Sequence, residues 1–313
     1  MLYGKYTFAC RFTSNASLPE FKGSTLRGVF GRALKKVVCV LKRQECTACM
    51  LNAACLYPQI FEPDLIHSSE TGDNKASSPH PFVLEPPISM ETDFRKGDHL
   101  DFNLLLFGQT TLKLPYLVYA FDEIGHMGIG KKINGRRGTF CLESVRAGSH
   151  TIYSGTERKL QQIRRPGELK LEKSGAPSSD PHMLTFNFQT PLRLKHNNQL
   201  TPELPFHVLV RAMTRRASTL LNAFGEGEPP LDYSGMVQRA HGITTAACSL
   251  TWADWRRYSF RQDQAMLLGG LMGSIAYQGD LEEYLPLIDF CARVHLGKQT
   301  TFGLGRFTVE AAR

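Results

Sequence analysis

Four cysteines are the clearest candidates for metal chemistry in this chain of 313 residues: Cys39, Cys46, Cys49 and Cys55. Their spacing, C-x6-C-x2-C-x5-C, contains one C-x-x-C pair, and four thiolates suit tetrahedral zinc. The first residues, MLYGKYTFACRF, alternate in polarity and lack the apolar core of a signal peptide, so we expect a cytoplasmic protein whose clustered cysteines bind metal. We therefore predict a structural zinc site; unligated thiols and an iron–sulfur cluster are the alternatives.

A glycine-rich segment near the end of the sequence, GKQTTFGLG (297–305), is a candidate phosphate-binding element. Glycines let the backbone approach a phosphate closely, and unpaired N–H groups can donate to its oxygens. The segment and its flanks supply further donors and small residues, namely His295, Lys298, Thr300, Thr301, Gly303, Gly305 and Arg306. The alternative is a turn that leads into a strand and carries these polar residues incidentally.

A third segment, WADWRRYSFRQ (252–262), holds both tryptophans of the chain, Trp252 and Trp255. Basic residues interleaved with aromatic ones suit phosphate pairing combined with base stacking. The candidate RNA-binding residues here are Arg256, Arg257 and Arg261, with Tyr258 between them. The alternative is a solvated charged loop anchored by two core indoles.

Positive charge extends beyond these segments. The chain has 37 Lys and Arg against 29 Asp and Glu, a net charge of +8. A second glycine-rich loop, GHMGIGKKINGRRG (125–138), supplies Lys131, Lys132, Arg136 and Arg137, and the first helix of the second half adds Arg211, Arg215 and Arg216. Basic elements in both halves favour a polyanion as the partner, with an unspecialised basic enzyme as the alternative.

Polarity patterns predict the same order of elements in both halves of the chain. In the first half we expect strands at 3–13, 81–88, 99–107 and 139–145, with helices from Ser24 and over about 111–124. In the second half we expect strands at 183–189, 242–252, 267–279 and 306–311, with helices over 205–224 and 281–294.

Two βαββαβ units, each with a glycine-rich loop before its last strand, predict an α+β protein of tandem ferredoxin-like (RRM-like) domains. We place the domains at 1–165 and 183–313, joined by a linker or hairpin at 166–182, with a Cys-rich insertion at 39–80 of the first. No apolar run approaches the ~18–20 residues that a membrane helix needs.

Most of the chain resembles one known family, the CRISPR-associated RAMP endoribonucleases of the sixth Cas family. The segments similar to its C-terminal domain are PLRLK (191–195), the helix from Pro205, DWRRYSFRQ (254–262), GSIAYQGDLEEYLPLI (273–288) and HLGKQTTFGLGRF (295–307). The helix LRGVFGRALKKVVC (26–39) and the cysteine segment after it are similar to a subgroup of that family.

The resemblance implies two ferredoxin-like folds and cleavage of CRISPR repeat RNA, without a metal cofactor, by attack of the RNA's own 2′-hydroxyl. The products would be guide RNAs with 5′-hydroxyl and 2′,3′-cyclic phosphate ends. The expected partners are repeat RNA and subunits of a CRISPR effector complex. The alternative is a non-catalytic RAMP subunit that only binds guide RNA in such a complex.

Such a reaction needs a base for the 2′-hydroxyl proton, a cation beside the crowded phosphorus and an acid for the departing 5′-oxygen. Some family members place a catalytic histidine in the first helix, where this chain has Arg32. His295 is therefore our first candidate for proton transfer and His126 the second. Lys298 and Tyr258 are candidates for proton donor or phosphorane stabiliser.

Overall fold

A computed structural model describes residues 1–42, 45–67, 77–161, 166–171, 182–196, 199–200, 203–259 and 264–311. The chain divides into two compact units, Leu2–Glu168 and Leu169–Arg313 together with Met1. Within the described ranges, no helix has both the length and the apolar character needed to cross a bilayer.

The elements of the N-terminal unit are, in chain order, β1 (Leu2–Phe12), β2 (Ala16–Ser17), α1 (Gly23–Val38), α2 (Leu56–Phe61), α3 (Asp64–His67), β3 (Phe82–Glu85), β4 (Asp93–Phe94), β5 (His99–Phe107), α4 (Leu114–Met127), β6 (Ile129–Ile133), β7 (Arg136–Gly138), β8 (Phe140–Ala147), β9 (His150–Ser154), β10 (Lys159–Leu160) and β11 (Gly167–Glu168). Short 3₁₀ helices lie at Cys46–Ala48 and Gly108–Lys113.

Four strands form the centre of an antiparallel sheet in the order β8-β1-β5-β3. These are the fourth, first, third and second strands of a β-α-β-β-α-β chain, which is the strand order of a ferredoxin-like fold. The sheet continues through β9 and β10 beyond β8, and β11 pairs with the start of β1. The predicted fold class is confirmed for this unit.

Both α1 and α4 bury residues in the core of the N-terminal sheet. Alternate residues of β1, including Phe8, are buried because successive side chains of a strand point to opposite faces. Phe30 of α1 and Phe121 of α4 stack with ring centroids 4.6 Å apart, and Phe121 also contacts Phe8 at 4.7 Å. Burial of these large aromatic rings stabilises the packing of both helices against the sheet.

The elements of the C-terminal unit are β12 (Met183–Leu192), β13 (Lys195–His196), β14 (Gln199–Leu200), α5 (Phe206–Phe224), α6 (Tyr233–Arg239), β15 (Thr244–Cys248), β16 (Thr251–Ser259), β17 (Gln264–Gln278), α7 (Leu285–Val294) and β18 (Phe307–Ala311). Short 3₁₀ helices lie at Ala240–Gly242, Glu282–Tyr284 and Thr300–Phe302.

The C-terminal sheet has the order β15-β17-β12-β18, so its four main strands repeat the ferredoxin-like arrangement. Phe206 of α5 packs against Tyr277 of β17 and Tyr284, with ring centroids 4.9 and 5.0 Å apart. On α7, Cys291 is buried and lies against the carbonyl of Met213 in α5. The predicted tandem ferredoxin-like architecture is therefore confirmed.

Two predicted boundaries were wrong. The basic segment that begins at Trp252 forms β16, which pairs with the first half of β17 from Trp252↔Leu271 to Ser259↔Gln264. It is a hairpin strand rather than the end of a strand followed by a loop. The predicted loop over 125–138 is the end of α4 followed by the β6–β7 hairpin.

Candidate nucleic-acid interface

The glycine-rich loop at 297–305 is folded tightly against its own beginning. Backbone φ angles are positive at Gly297, Gly303 and Gly305. A Cβ added at Gly305 would lie 1.7 Å from the carbonyl oxygen of Leu296, so only glycine fits there. Close packing within the loop therefore explains this glycine without any bound phosphate.

His295 lies in the interior of the C-terminal unit, at the end of α7. Its side chain is 0% exposed, and its Nδ1 is 3.0 Å from the carbonyl oxygen of Leu304. A general base must come within hydrogen-bond reach of the proton that it removes. His295 was our first candidate for the general base, but a buried side chain does not suit that role. Its bond to Leu304 suits a residue that holds the loop in position.

Arg216 of α5 fixes the same loop from the other side. Its Nη2 donates to the carbonyl of Val294 at 2.7 Å and to Oγ1 of Thr300 at 3.3 Å, and its Nε donates to the carbonyl of His295 at 3.1 Å. Burial of the guanidinium lowers the pKa of Arg216 to about 10, so it is still a cation at neutral pH. These bonds satisfy carbonyls at the end of α7, where a positive charge is favourable.

The contacts of Arg216 and of the two threonines of the loop therefore stabilise the fold. Thr300 and Thr301 are only 6% and 7% exposed. The prediction that Arg216 extends an exposed basic surface was wrong, because its guanidinium binds the backbone. Burial likewise does not fit the predicted phosphate contacts of Thr300, Thr301, Gly303 and Gly305.

Lys298 is the exposed residue of this loop, and Arg306 is partly exposed. The N–H of Lys298 donates to the carbonyl of Arg193 at 2.9 Å, which fixes the lysine's backbone. Arg193 in turn donates through Nη1 to the carbonyl of Gly269 on β17, at 3.0 Å. Arg193 therefore links the glycine-rich loop to the β16–β17 hairpin, a connection that sequence reasoning missed.

The β16–β17 hairpin carries the tryptophans and arginines that the sequence singled out. Trp252 is exposed, whereas Trp255 is partly buried. Arg256, Arg257 and Tyr258 lie on β16 opposite Leu267, Met266 and Ala265. Their side chains, and Arg261 as a whole, lie outside the part of the chain that the structure describes.

The β6–β7 hairpin presents the predicted basic residues of the N-terminal unit. Its turn is Asn134–Gly135 with φ angles of 49° and 81°, as expected where an Asn-Gly pair joins two strands. Lys131, Lys132 and Arg136 are exposed. The dipeptide was a signal for a hairpin that the sequence analysis did not use.

The side chain of Arg137 turns back onto this hairpin and donates through Nη1 to the carbonyl of Gly130 at 2.9 Å. Partial burial lowers the pKa of Arg32 in α1, and the nearby charge of Arg137 lowers it further. Arg32 and Arg137 therefore lie close enough for their charges to interact.

His126, our second candidate for proton transfer, is exposed at the end of α4. Its Nε2 is 3.9 Å from Oδ2 of Asp122, one helical turn earlier. Both residues line a cleft of about 300 Å³ together with Thr13, Thr139 and Arg158. A substrate can reach this histidine from solvent.

The described residues do not support the predicted zinc site. Among the described residues, which include all four clustered cysteines, there is no group of three or more His, Cys, Asp or Glu side chains that could hold a metal. Burial, and after it the charge of Glu62, raises the pKa of the Cys46 thiol. The Cys-rich insertion itself is described only in part, since 43–44 and 68–76 lie outside the described ranges.

We expect His295→Ala to lower the free energy of unfolding by about 2–4 kcal/mol, because it empties a buried site and removes the partner of the Leu304 carbonyl. Urea denaturation of the purified variant measures this change. His126→Ala, which truncates an exposed histidine, should change stability by less than about 0.5 kcal/mol. An unchanged unfolding midpoint for His295→Ala would return His295 to the candidates for proton transfer.

Both units have the ferredoxin-like strand order, and the second has a glycine-rich loop before its last strand. Residues 1–166 match the family model AF_1859_N, described as an N-terminal domain, and residues 186–307 match that of the CRISPR-associated endoribonuclease Cas6. The chain therefore belongs to the family that the AF_1859_N model describes, and its second half carries a segment that matches the Cas6 endoribonucleases.

Individual proteins are similar to this chain in sequence or in fold. An uncharacterized protein of Archaeoglobus fulgidus is 25% identical over 297 residues, which cover 94% of this chain and 93% of the relative. A Cas6 product complex from Thermus thermophilus has a TM-score of 0.58 at 15% identity, covering 99% of this chain and 100% of that one. A partial Cas6-RT-Cas1–Cas2 complex has a TM-score of 0.60 at 11% identity, covering 99% of this chain and 46% of that one. The two structures are similar to this chain in fold.

Proposed function

We propose that the protein cleaves CRISPR repeat RNA by attack of the 2′-hydroxyl on the adjacent phosphorus, without a metal cofactor. The products would carry a 2′,3′-cyclic phosphate and a 5′-hydroxyl. The observation that carries this proposal is Lys298, an exposed cation whose backbone is fixed by Arg193 within the segment that matches Cas6. A cation in a fixed position can stabilise negative charge as it develops on the phosphorane.

Exposure and burial separate the roles of Lys298 and His295. We assign Lys298 to charge stabilisation and His295 to positioning of the loop that carries it. Tyr258, in the same unit as Lys298, is our candidate for the proton donor. His126 of the N-terminal unit is exposed and keeps its place as a candidate for proton transfer. Because the 2′-hydroxyl is the nucleophile and side chains move the protons, no step of this chemistry calls for a metal ion.

The substrate and partners follow from the same proposal. We infer that repeat RNA binds the basic hairpins of both units, through Lys131, Lys132, Arg136, Arg256, Arg257 and Arg261, with Arg306 contributing beside the loop. The solved relatives include a Cas6 product complex and a complex that joins Cas6 to Cas1 and Cas2. We therefore propose guide-RNA formation in the cytoplasm, with other Cas proteins as further partners.

Incubation of labelled repeat RNA with the protein in EDTA tests the proposal. We expect one site-specific cut, and a single 2′-deoxy nucleotide at the cut site should stop it, since the nucleophile is then missing. 3′ ends that resist phosphatase until mild acid opens the ring would confirm the cyclic phosphate. Cutting of the 2′-deoxy substrate would reject the mechanism.

A non-catalytic RAMP subunit that holds guide RNA is the second candidate. Two observations favour it: Arg32 stands where some members have a catalytic histidine, and His295 is buried. This protein would bind repeat RNA tightly and leave it intact. The same incubation therefore separates the two functions.

A further inference from the structure

Trp252 on β16 is a large aromatic side chain that the fold leaves 41% exposed. Exposure of an indole sacrifices apolar burial, and its cost is offset when a ligand covers the ring. Trp255, three residues later, is more deeply buried. Trp252 therefore differs from a core indole that anchors the strand.

The indole of Trp252 is held in one orientation. Its Nε1 donates to Oδ1 of Asp254 at 3.1 Å. Gly269 lies directly opposite Asp254 on β17, and a Cβ there would be 2.8 Å from Cζ2 and 2.9 Å from Nε1 of the indole. The missing side chain at Gly269 therefore lets the ring edge lie against the β17 backbone.

Positive charge lies beside this ring. Arg193 donates to the carbonyl of Gly269, and its own carbonyl accepts from the N–H of Lys298. The hydrogen bonds thus connect the residue beneath the indole to the loop that bears the proposed catalytic lysine. The carboxylate of Asp254 at the ring edge repels phosphate, so a nucleobase rather than the RNA backbone suits the indole.

We infer that Trp252 is the stacking platform for one unpaired nucleobase of the bound RNA, next to the phosphate that Lys298 serves. Arg193 is the cation available for that nucleotide's own phosphate. The inference rests on the proposed function. Stacking on an aromatic side chain tolerates any base, because every base has a π-face.

Tryptophan fluorescence tests this directly, because the chain has only two tryptophans. The Trp255→Phe variant leaves Trp252 as the sole tryptophan, which can be excited at wavelengths where tyrosine does not absorb. We expect its emission to be quenched on titration with repeat RNA that carries a 2′-deoxy nucleotide at the cut site. Unchanged emission, while fluorescence anisotropy of labelled RNA shows saturation, would overturn the inference.

Affinity supplies the second measurement. Trp252→Ala should weaken binding of this RNA about 5- to 150-fold, and Trp252→Phe less. Tyr116→Ala is the matched control, since it truncates another exposed aromatic residue, on α4, and should leave affinity unchanged. Substituting each nucleotide of the RNA by an abasic one should identify a single position whose loss weakens wild type but not Trp252→Ala.

These outcomes separate the inference from the function on which it rests. RNA that is bound and cut by Trp252→Ala as by wild type would reject the stacking platform and leave the proposed nuclease intact. Failure of the wild-type protein to bind repeat RNA at all would reject both. Equal sensitivity of both proteins to every abasic position would also overturn the platform.

Discussion

Lys298→Ala should slow single-turnover cleavage of repeat RNA by about 100- to 1,000-fold, the cost of removing one positioned group that stabilises transition-state charge. Its affinity for RNA should change only a few-fold, because one of many phosphate contacts is lost. The backbone bond from residue 298 to Arg193 is retained in the variant, so the loop should fold normally. Quenched-flow or manual time courses at saturating protein measure the rate.

Two further variants, Lys298→Arg and Arg215→Gln, show whether the effect is specific to the charge at position 298. The arginine variant keeps the charge and should recover part of the rate. Arg215 is an exposed cation of α5 in the same unit, so its neutralisation controls for a general loss of positive charge. Wild-type cleavage by Lys298→Ala would remove Lys298 from the site and direct attention to Tyr258.

The order of the main elements could be predicted because it depends on local polarity patterns. Alternation along β1 and helical spacing along α1 specify a half-buried strand and an amphipathic helix without knowledge of their neighbours. Because the βαββαβ order occurs twice, the sequence then predicted two ferredoxin-like domains. The Asn134–Gly135 turn was equally readable from its dipeptide.

The environment of the site residues could not be predicted in this way. His295 is buried by contacts with Leu304, and Arg216 binds backbone carbonyls more than seventy residues away. Likewise, β16 is a strand because it pairs with β17, although its own sequence is polar and charged. Such properties depend on which groups meet in the folded chain, and residue types and spacing alone do not specify these contacts.

The cysteines show the same limit for metal sites. Their spacing shows only that the four thiols are close in sequence. A zinc site needs four ligands arranged tetrahedrally around one point. In the structure, Cys39 follows the end of α1, Cys46 begins a 3₁₀ turn and Cys55 precedes α2. Among the described residues, these cysteines do not form a group that could hold a metal.

Neutralising the exposed basic residues of the β6–β7 hairpin should weaken RNA binding by roughly 100-fold at 0.1 M salt. The variant is Lys131→Gln, Lys132→Gln and Arg136→Gln, which leaves Arg137 and its bond to Gly130 in place. Each phosphate contact of single-stranded RNA contributes about 0.7 to the slope of log affinity against log salt, so three lost contacts should reduce that slope by about 2. Fluorescence anisotropy at several salt concentrations gives both numbers.

The matched control removes the same charge elsewhere in the N-terminal unit, by Lys113→Gln, Arg146→Gln and Lys159→Gln, all at exposed positions. Since both variants have the same net charge, a difference between their salt slopes reports contacts at the hairpin rather than the long-range field of the protein. Equal slopes for the two variants would show that RNA does not contact the hairpin. A reduced slope confined to the hairpin variant would place at least some of the bound phosphates on the N-terminal unit, so RNA recognition would not rest on the Cas6-matching residues 186–307 alone.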